Sequence, residues 1–401
     1  MATAAQVFPE RPAAQWPLTA DVLRPSALSS GDIAAWRRLQ ALEPAFGNPL
    51  LGVDFAQAVG EVRPDARVAV FRRGDEAVGF LAHHRRPSGF ARPIGAPFSD
   101  YHALISDARA PLRQGEALEA AGIDRMRLTG LVDPFHGMDD GVTERTWAHR
   151  IVLTDTAETY LDELGRGSRN RLKNHRRYRR GLEQAIGPVR LVAGDRDPAA
   201  FERLVAWKRR QIDLTGVHDF LGVDWTVALM RRLFETHTPG FEGLMISLYA
   251  GKRLVASHFG VRQGDWFHPW LGAFDPDLRA YSPGLVHQIE AIGAMPELGL
   301  RTYDLGPSND HWKQMFTSGG VSIGSGLATR SSLSGQIARA GDQVWRAPLI
   351  GGLRARLDQI ASLELTLGGR LQGAAHAVIA KGVRRFHSST LSPRSTQWAL
   401  S

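Results

Sequence analysis

Between Trp266 and Gly284 the chain passes from an aromatic strand directly into a helix start, and that junction restricts the folds open to it. Trp266-Phe267-His268-Pro269-Trp270-Leu271-Gly272-Ala273-Phe274 reads as a strand. In Tyr281-Ser282-Pro283-Gly284, Ser282 suits an N-cap and Pro283 the first helical position, which predicts a helix over Gly284 to Met295. The unpaired N–H groups at such a start attract anions, Gly284 lets a phosphate approach the backbone, and Arg279 adds a positive charge beside it. A strand feeding a helix across an anion site is an α/β arrangement.

The rest of the chain extends this reading. Arg67 to Phe71 and Ala77 to His83 read as a hairpin turning at Gly74, and Leu244 to Ala250 and Arg253 to Gly260 as another turning at Gly251. Gly74 and Gly251 are 177 positions apart, as are Val78 and Val255, which suggests two related halves with a boundary near Arg150 to Thr156. Ile33 to Leu42 and most of Leu191 to His237 carry helical spacing. Beyond Thr317 the pattern changes to a Gly/Ser-rich stretch, then to helices carrying Arg354, Arg356, Arg370 and Lys381.

Composition narrows the chemistry. With no cysteine, a thiolate metal site and a cysteine-linked acyl intermediate are excluded. No window offers about 18 uninterrupted apolar residues and residues 1–20 lack a signal-peptide core, so the expected location is the cytoplasm. The net charge of +8 is concentrated in Arg166 to Arg180, with eight Lys and Arg in fifteen positions. Such a run suits phosphate on RNA, lipid headgroups or nucleotide sugars, and equally a solvated helix face.

Several motifs then occur in order: Val255-Ala256-Ser257-His258-Phe259-Gly260, His268-Pro269-Trp270, Phe274-Asp275-Pro276, Tyr281-Ser282-Pro283-Gly284, Tyr303-Asp304-Leu305-Gly306 and Trp312-Lys313. Together they resemble the CelD-type acetyltransferases associated with cellulose and other exopolysaccharides, a GNAT branch related to the FemAB peptidoglycan aminoacyl ligases. Arg279 to Gly284 resembles a degenerate form of the superfamily's pyrophosphate loop, Arg/Gln-x-x-Gly-x-Gly/Ala, with Ser282 and Pro283 departing from its glycine spacing. The resemblance covers Gly167 to Phe316; the first 150 residues match only as the first half of a FemAB-like tandem. It implies an α/β, mixed-sheet GNAT fold with two halves in tandem. The expected divisions are a lead-in over 1–28, a degenerate half over 29–152, the acyltransferase domain over 153–318 and a helical extension over 319–401.

The implied co-substrate is acetyl-CoA or another acyl-CoA, with no metal, and the implied acceptor is an amino sugar or related group of an exopolysaccharide or envelope precursor. Direct transfer needs a group to take the amine's proton and donors for the oxyanion. His258 is the candidate base, or a hydrogen-bonded core histidine. Asp304, like Asp275, is read at a strand end where it suits a ligand or a turn cap; the resemblance favours Asp304, because the family pattern also places an aspartate there, and gives Lys313 the neutralisation of phosphate or oxyanion. Arg279, Tyr281, Ser282 and Gly284 are the donor-site candidates, and His268, Trp270 and Asp275 the acceptor-side ones. Trp270 and Tyr281 suit a stacking wall or core, and Asp275 a ligand or a turn cap. His258 should lie opposite Pro269 across a two-residue turn at Gln263-Gly264, or opposite His268 across a three-residue one. Two other functions fit: aminoacyl transfer from tRNA, and a non-catalytic scaffold for polysaccharide synthesis docking on anionic membrane.

Overall fold

A computed structural model of the chain describes residues 16–167, 169–215, 219–308, 311–330, 335, 337, 341–342, 351–365, 368 and 371. The first half contributes strands β1 (Leu18–Leu23), β2 (Ala66–Arg73), β3 (Glu76–Arg86), β4 (Phe90–Pro93), the two-residue β5 (Ile105–Ser106), β6 (Arg125–Leu131) and β7 (Val142–Val152). The second contributes β8 (Val189–Ala193), the two-residue β9 (His237–Thr238), β10 (Phe241–Ala250), β11 (Arg253–Gln263), β12 (Trp266–Phe274), β13 (Thr302–Pro307) and β14 (Gly319–Thr329).

All of these join one mixed sheet, in the order β1-β2-β3-β4-β6-β14-β7-β13-β12-β11-β10-β8, with β5 on β3 and β9 on β10. Reading inward from both edges pairs β1 with β8, β2 with β10, β3 with β11, β4 with β12, and β6 with β13. Each half therefore repeats the other, and both predicted hairpins are present. The halves exchange their last strands: β7 lies against β13 of the second half and β14 against β6 of the first, and β7 and β14 pair with each other at the centre.

That exchange corrects one expectation: residues 319–329 form a central strand, not the start of a helical extension, so the halves that meet in sequence near 152 interleave in the sheet. Leu191 likewise belongs to strand β8 and not to a helix.

The sheet is buried on both faces, which its alternation encodes. Val68 and Val70 face one core, where α1 (Ser30–Leu42), α2 (Val53–Val62), α6 (Pro198–Thr215) and α7 (Asp224–Phe234) pack, whereas Ala69 and Phe71 face α3 (Gln114–Ala120). In the second half Met245 joins the first core, while Leu244 and Ile246 face α4 (Ala157–Gly167) and α8 (Pro283–Ala294), with α5 (Arg169–Ala185) outside. Helix α1 covers the predicted helical spacing and begins three residues before it, with Ser29 and Asp32 forming a reciprocal capping box. After α9 (His311–Phe316), the last described helix is α10 (Gly351–Leu363). Arg86 donates to the carbonyls of Ala361 and Ser362, and Trp225 Nε1 to that of Leu363, so α10 ties the two halves together. Arg370 and Lys381 lie outside the described residues.

Candidate active site

Strands β12 and β13 run parallel and pair only at Trp266–Thr302 and Phe267–Tyr303 before diverging. The divergence opens a cleft of about 550 Å³ whose walls include His258, Trp270, Gly272, Arg279, Ser282, Gly284 and Lys313. A bulge helps to shape it. Phe259 pairs with Leu271 but Gly260 with Pro269, leaving Trp270 as the extra residue on β12. The turn is Gly264-Asp265, so with the bulge His258 lies opposite Gly272, three residues beyond the expected Pro269 and four beyond the expected His268.

At one end of the cleft stands the start of α8. Ser282 takes a left-handed conformation (φ 44°, ψ 59°) and its side chain caps nothing, which corrects the expected N-cap geometry. The Gly284 N–H is left without a partner among the described residues, and a Cβ there would meet only Phe274, at 3.8 Å. An anion could therefore reach the helix terminus, with Arg279 on the same wall. The walls also hold buried polar groups without partners among the described residues: both amide atoms of Gln288 and the indole nitrogens of Trp270 and Trp312. Each such group costs roughly 1–3 kcal/mol unless something satisfies it, and an extended ligand rich in amides would do so.

His258 occupies the wall between sheet and helix. Burial, together with His287, Lys208 and Lys313 nearby, holds its pKa well below the ordinary value, so the ring is neutral near pH 7. Its Nδ1 lies 2.6 Å from the Tyr303 hydroxyl. Burial pushes that phenol's pKa far up, and the hydroxyl has no other partner among the described residues, so it donates to Nδ1. Nε2 then carries the ring's hydrogen, on the side lying against Gly272. In this tautomer His258 offers a hydrogen-bond donor to the cleft, where the sequence reading expects a base.

Sequence reasoning missed Lys208, on α6. Its ammonium reaches the Gly272 carbonyl at 3.5 Å and has no carboxylate partner among the described residues. Burial, reinforced by Lys313, lowers its pKa to about 8. A buried lysine without a counter-ion is the signal, and it emerges only once α6 is laid on β12.

Behind the cleft, Asp304 and His268 anchor a buried network. Asp304 accepts from Tyr101 (2.7 Å), the Gly306 N–H (2.9 Å), Arg150 (3.0 Å) and Asn48 (3.1 Å). Burial alone would raise its pKa, but His268 and Arg150 hold the carboxyl far below the usual range. So saturated and inaccessible, Asp304 cannot take a substrate proton; it positions its neighbours, which corrects its catalytic assignment. His268 is fully buried as well, with Nε2 3.1 Å from Asp100 and Nδ1 3.7 Å from Asp304. Burial opposes its charge, yet the two carboxylates raise its pKa to about 9.

Two other candidates point elsewhere. Asp275 is ion-paired to Arg253 at 2.7 Å and caps the Asp277 N–H, so it serves the turn before α8. The Tyr281 ring packs on Gly181 of α5 and does not line the cleft. Trp270 lines it, but its ring also leans on Phe55 and Phe98 of the first half. The basic run divides. His175 and Arg179 bind Glu290 of α8, each at 3.0 Å, whereas Lys173, Arg176, Arg177 and Arg180 line a surface groove of about 1010 Å³ that shares Asn174 with the cleft.

Residues 169–314 match the family described as acetyltransferase (GNAT) domain. No curated protein matches the chain significantly. Among solved structures it is similar to FemX at 12% identity and TM-score 0.48, covering 77% of this chain and 96% of that one. A tandem GNAT protein from the clavulanic acid biosynthesis pathway is similar at 11% identity and TM-score 0.45, with 78% and 98% covered. A protein of unknown function from Bacteroides thetaiotaomicron is similar at 9% and 0.47, with 75% and 97% covered. No helix among the described residues is long and apolar enough to cross a membrane, and no group of three or more His, Asp or Glu among them is placed to hold a metal.

Proposed function

We propose that the cleft binds an acyl-CoA and passes its acyl group directly to the amine of an amino sugar or related envelope precursor. The observation that carries this reading is the uncapped α8 terminus, open at Gly284 and facing a cleft with buried orphan amide and indole groups, inside the segment that matches the acetyltransferase domain. In this reading the diphosphate rests on the Gly284 N–H and Arg279, and the amide-rich arm of the donor runs along β12 past Gln288. The amine nitrogen attacks the thioester carbonyl: a C–N bond forms, the C–S bond breaks, and the proton that the nitrogen sheds is passed, directly or through water, to the departing thiolate. Lys208, Lys313 and the Nε2–H of His258 are the cations and donor suited to the oxyanion that develops between these events.

The basic groove joined at Asn174 favours a second reading, in which the donor is an aminoacyl-tRNA whose phosphates lie on Arg176, Arg177 and Arg180. Calorimetry with coenzyme A separates the two. The first reading expects one site per chain, and Gly284→Asp should weaken it about ten- to a hundredfold with the melting temperature unchanged, since a carboxylate would stand where phosphate binds. No binding of coenzyme A together with salt-sensitive retention of tRNA would reverse the order.

A further inference from the structure

Asp100 belongs to the first half by sequence but serves the cleft of the second. It sits in the segment 94–104 that follows β4, and among the described residues it is the sole carboxylate on a cleft wall whose other charged side chains are Lys208, Arg279 and Lys313. Its side chain keeps 38% of its exposure. Oδ2 accepts from His268 Nε2, and Oδ1 has no partner among the described residues.

Its position is fixed on every side. An added Cβ on Gly130 would stand 1.8 Å from the Asp100 carbonyl oxygen, and one on Gly306 2.9 Å from Oδ2, so backbone and carboxylate are both packed against glycines. The neighbouring Tyr101 is pinned by its hydrogen bond to Asp304. His268 holds the carboxylate from behind and is itself held by Asp304, so the free oxygen is aimed before any ligand arrives. A preoriented carboxylate at the edge of a cleft is suited to a cation, because little entropy is lost on pairing and partial desolvation strengthens the attraction. A neutral hydroxyl would leave that charge desolvated and uncompensated.

We infer that Asp100 anchors the acceptor as an ammonium ion, so that the acceptor is a primary amine seated at the seam between the halves, opposite the cationic donor end. This rests on the acyl-CoA reading. Asp100 holds the nitrogen beside the thioester, and the ammonium releases its proton to solvent before attack.

The test uses the whole chain with acetyl-CoA and a panel of glucosamine, lysine and putrescine, set against glucose and glycerol as hydroxyl counterparts. At least one amine should be N-acylated. Asp100→Asn should raise that amine's KM tenfold or more, with kcat and coenzyme A affinity within about threefold, and Asp100→Glu should recover part of the loss. A purely structural role would instead lower the melting temperature and kcat together. Wild-type protein that binds coenzyme A yet acylates only hydroxyls, or none of the panel, overturns the inference, as does an unchanged KM in Asp100→Asn. Failure to bind coenzyme A is a separate result that removes the donor reading and this inference with it.

Discussion

The two halves of the sheet make the same split and use it in opposite ways. In the second half β12 and β13 part after two residue pairs, and the gap is the cleft. In the first half β4 and β6 likewise pair in parallel only at Phe90–Arg125 and Ala91–Met126. There the chain's own segment closes the gap: His102 bridges Leu131, its N–H bonds the Gly130 carbonyl, and the Val132 N–H bonds the His102 carbonyl. The plug fills the split between β4 and β6 with backbone pairing, and its tip delivers Asp100 and Tyr101 to the second half. The same split is thus closed by the chain in one half and left as a cleft in the other.

The comparison breaks most visibly at Gly130. This residue has φ +72° and no room for a Cβ against the plug's backbone. Gly130→Ala should cost roughly 3 kcal/mol or more, combining left-handed strain with a forced shift of residues 99–102, and should be read by chemical denaturation. The same change at Gly284, which lies in helix α8 where a Cβ meets nothing closer than 3.8 Å, should cost nothing and stabilise by up to about 1 kcal/mol. Equal losses at the two sites would erase the distinction between plugged and open halves.

A smaller effect sharpens the account of the seam. His268 has a folded pKa near 9 against an ordinary 6.5, so its contribution to stability is fully present below about pH 6.5 and is lost as pH rises through 9. The melting temperature of the wild type should fall between pH 7 and pH 10 by more than that of His268→Gln. Parallel curves would mean that the ring is neutral in the fold.

The smallest expected effect is at His258. As a donor from Nε2 it can be imitated by a glutamine amide, so His258→Gln should lower turnover only about tenfold and leave the pH profile of kcat in place. A loss of a hundredfold or more with an altered profile would restore it as a general base.

Much of this was legible in the sequence, and the failures have physical causes. The two hairpins and the strand-to-helix junction with Arg279, Ser282 and Gly284 follow from local spacing, His258 from its place in an apolar strand, and Lys313 from the family resemblance alone. The central place of β14 does not, because Gly319 to Thr329 is Gly/Ser-rich and acquires its strand character from neighbours β6 and β7. A bulge moved the register of His258 and Trp270, and a bulge adds a residue without marking the sequence. Lys208 and Asp100 were invisible as site residues because each stands on a segment that tertiary packing brings to β12. Asp304 stands inside β13 and not at its end, where four donors make it an anchor.

The most direct test of the central claim is a crystal structure of the chain with coenzyme A. The account predicts one molecule per chain, its diphosphate at the Gly284 N–H and Arg279 and its thiol end directed past Gly272 toward Trp270 and Asp100. A coenzyme A seated in the first half, between β4 and β6 with residues 94–104 displaced, would contradict it.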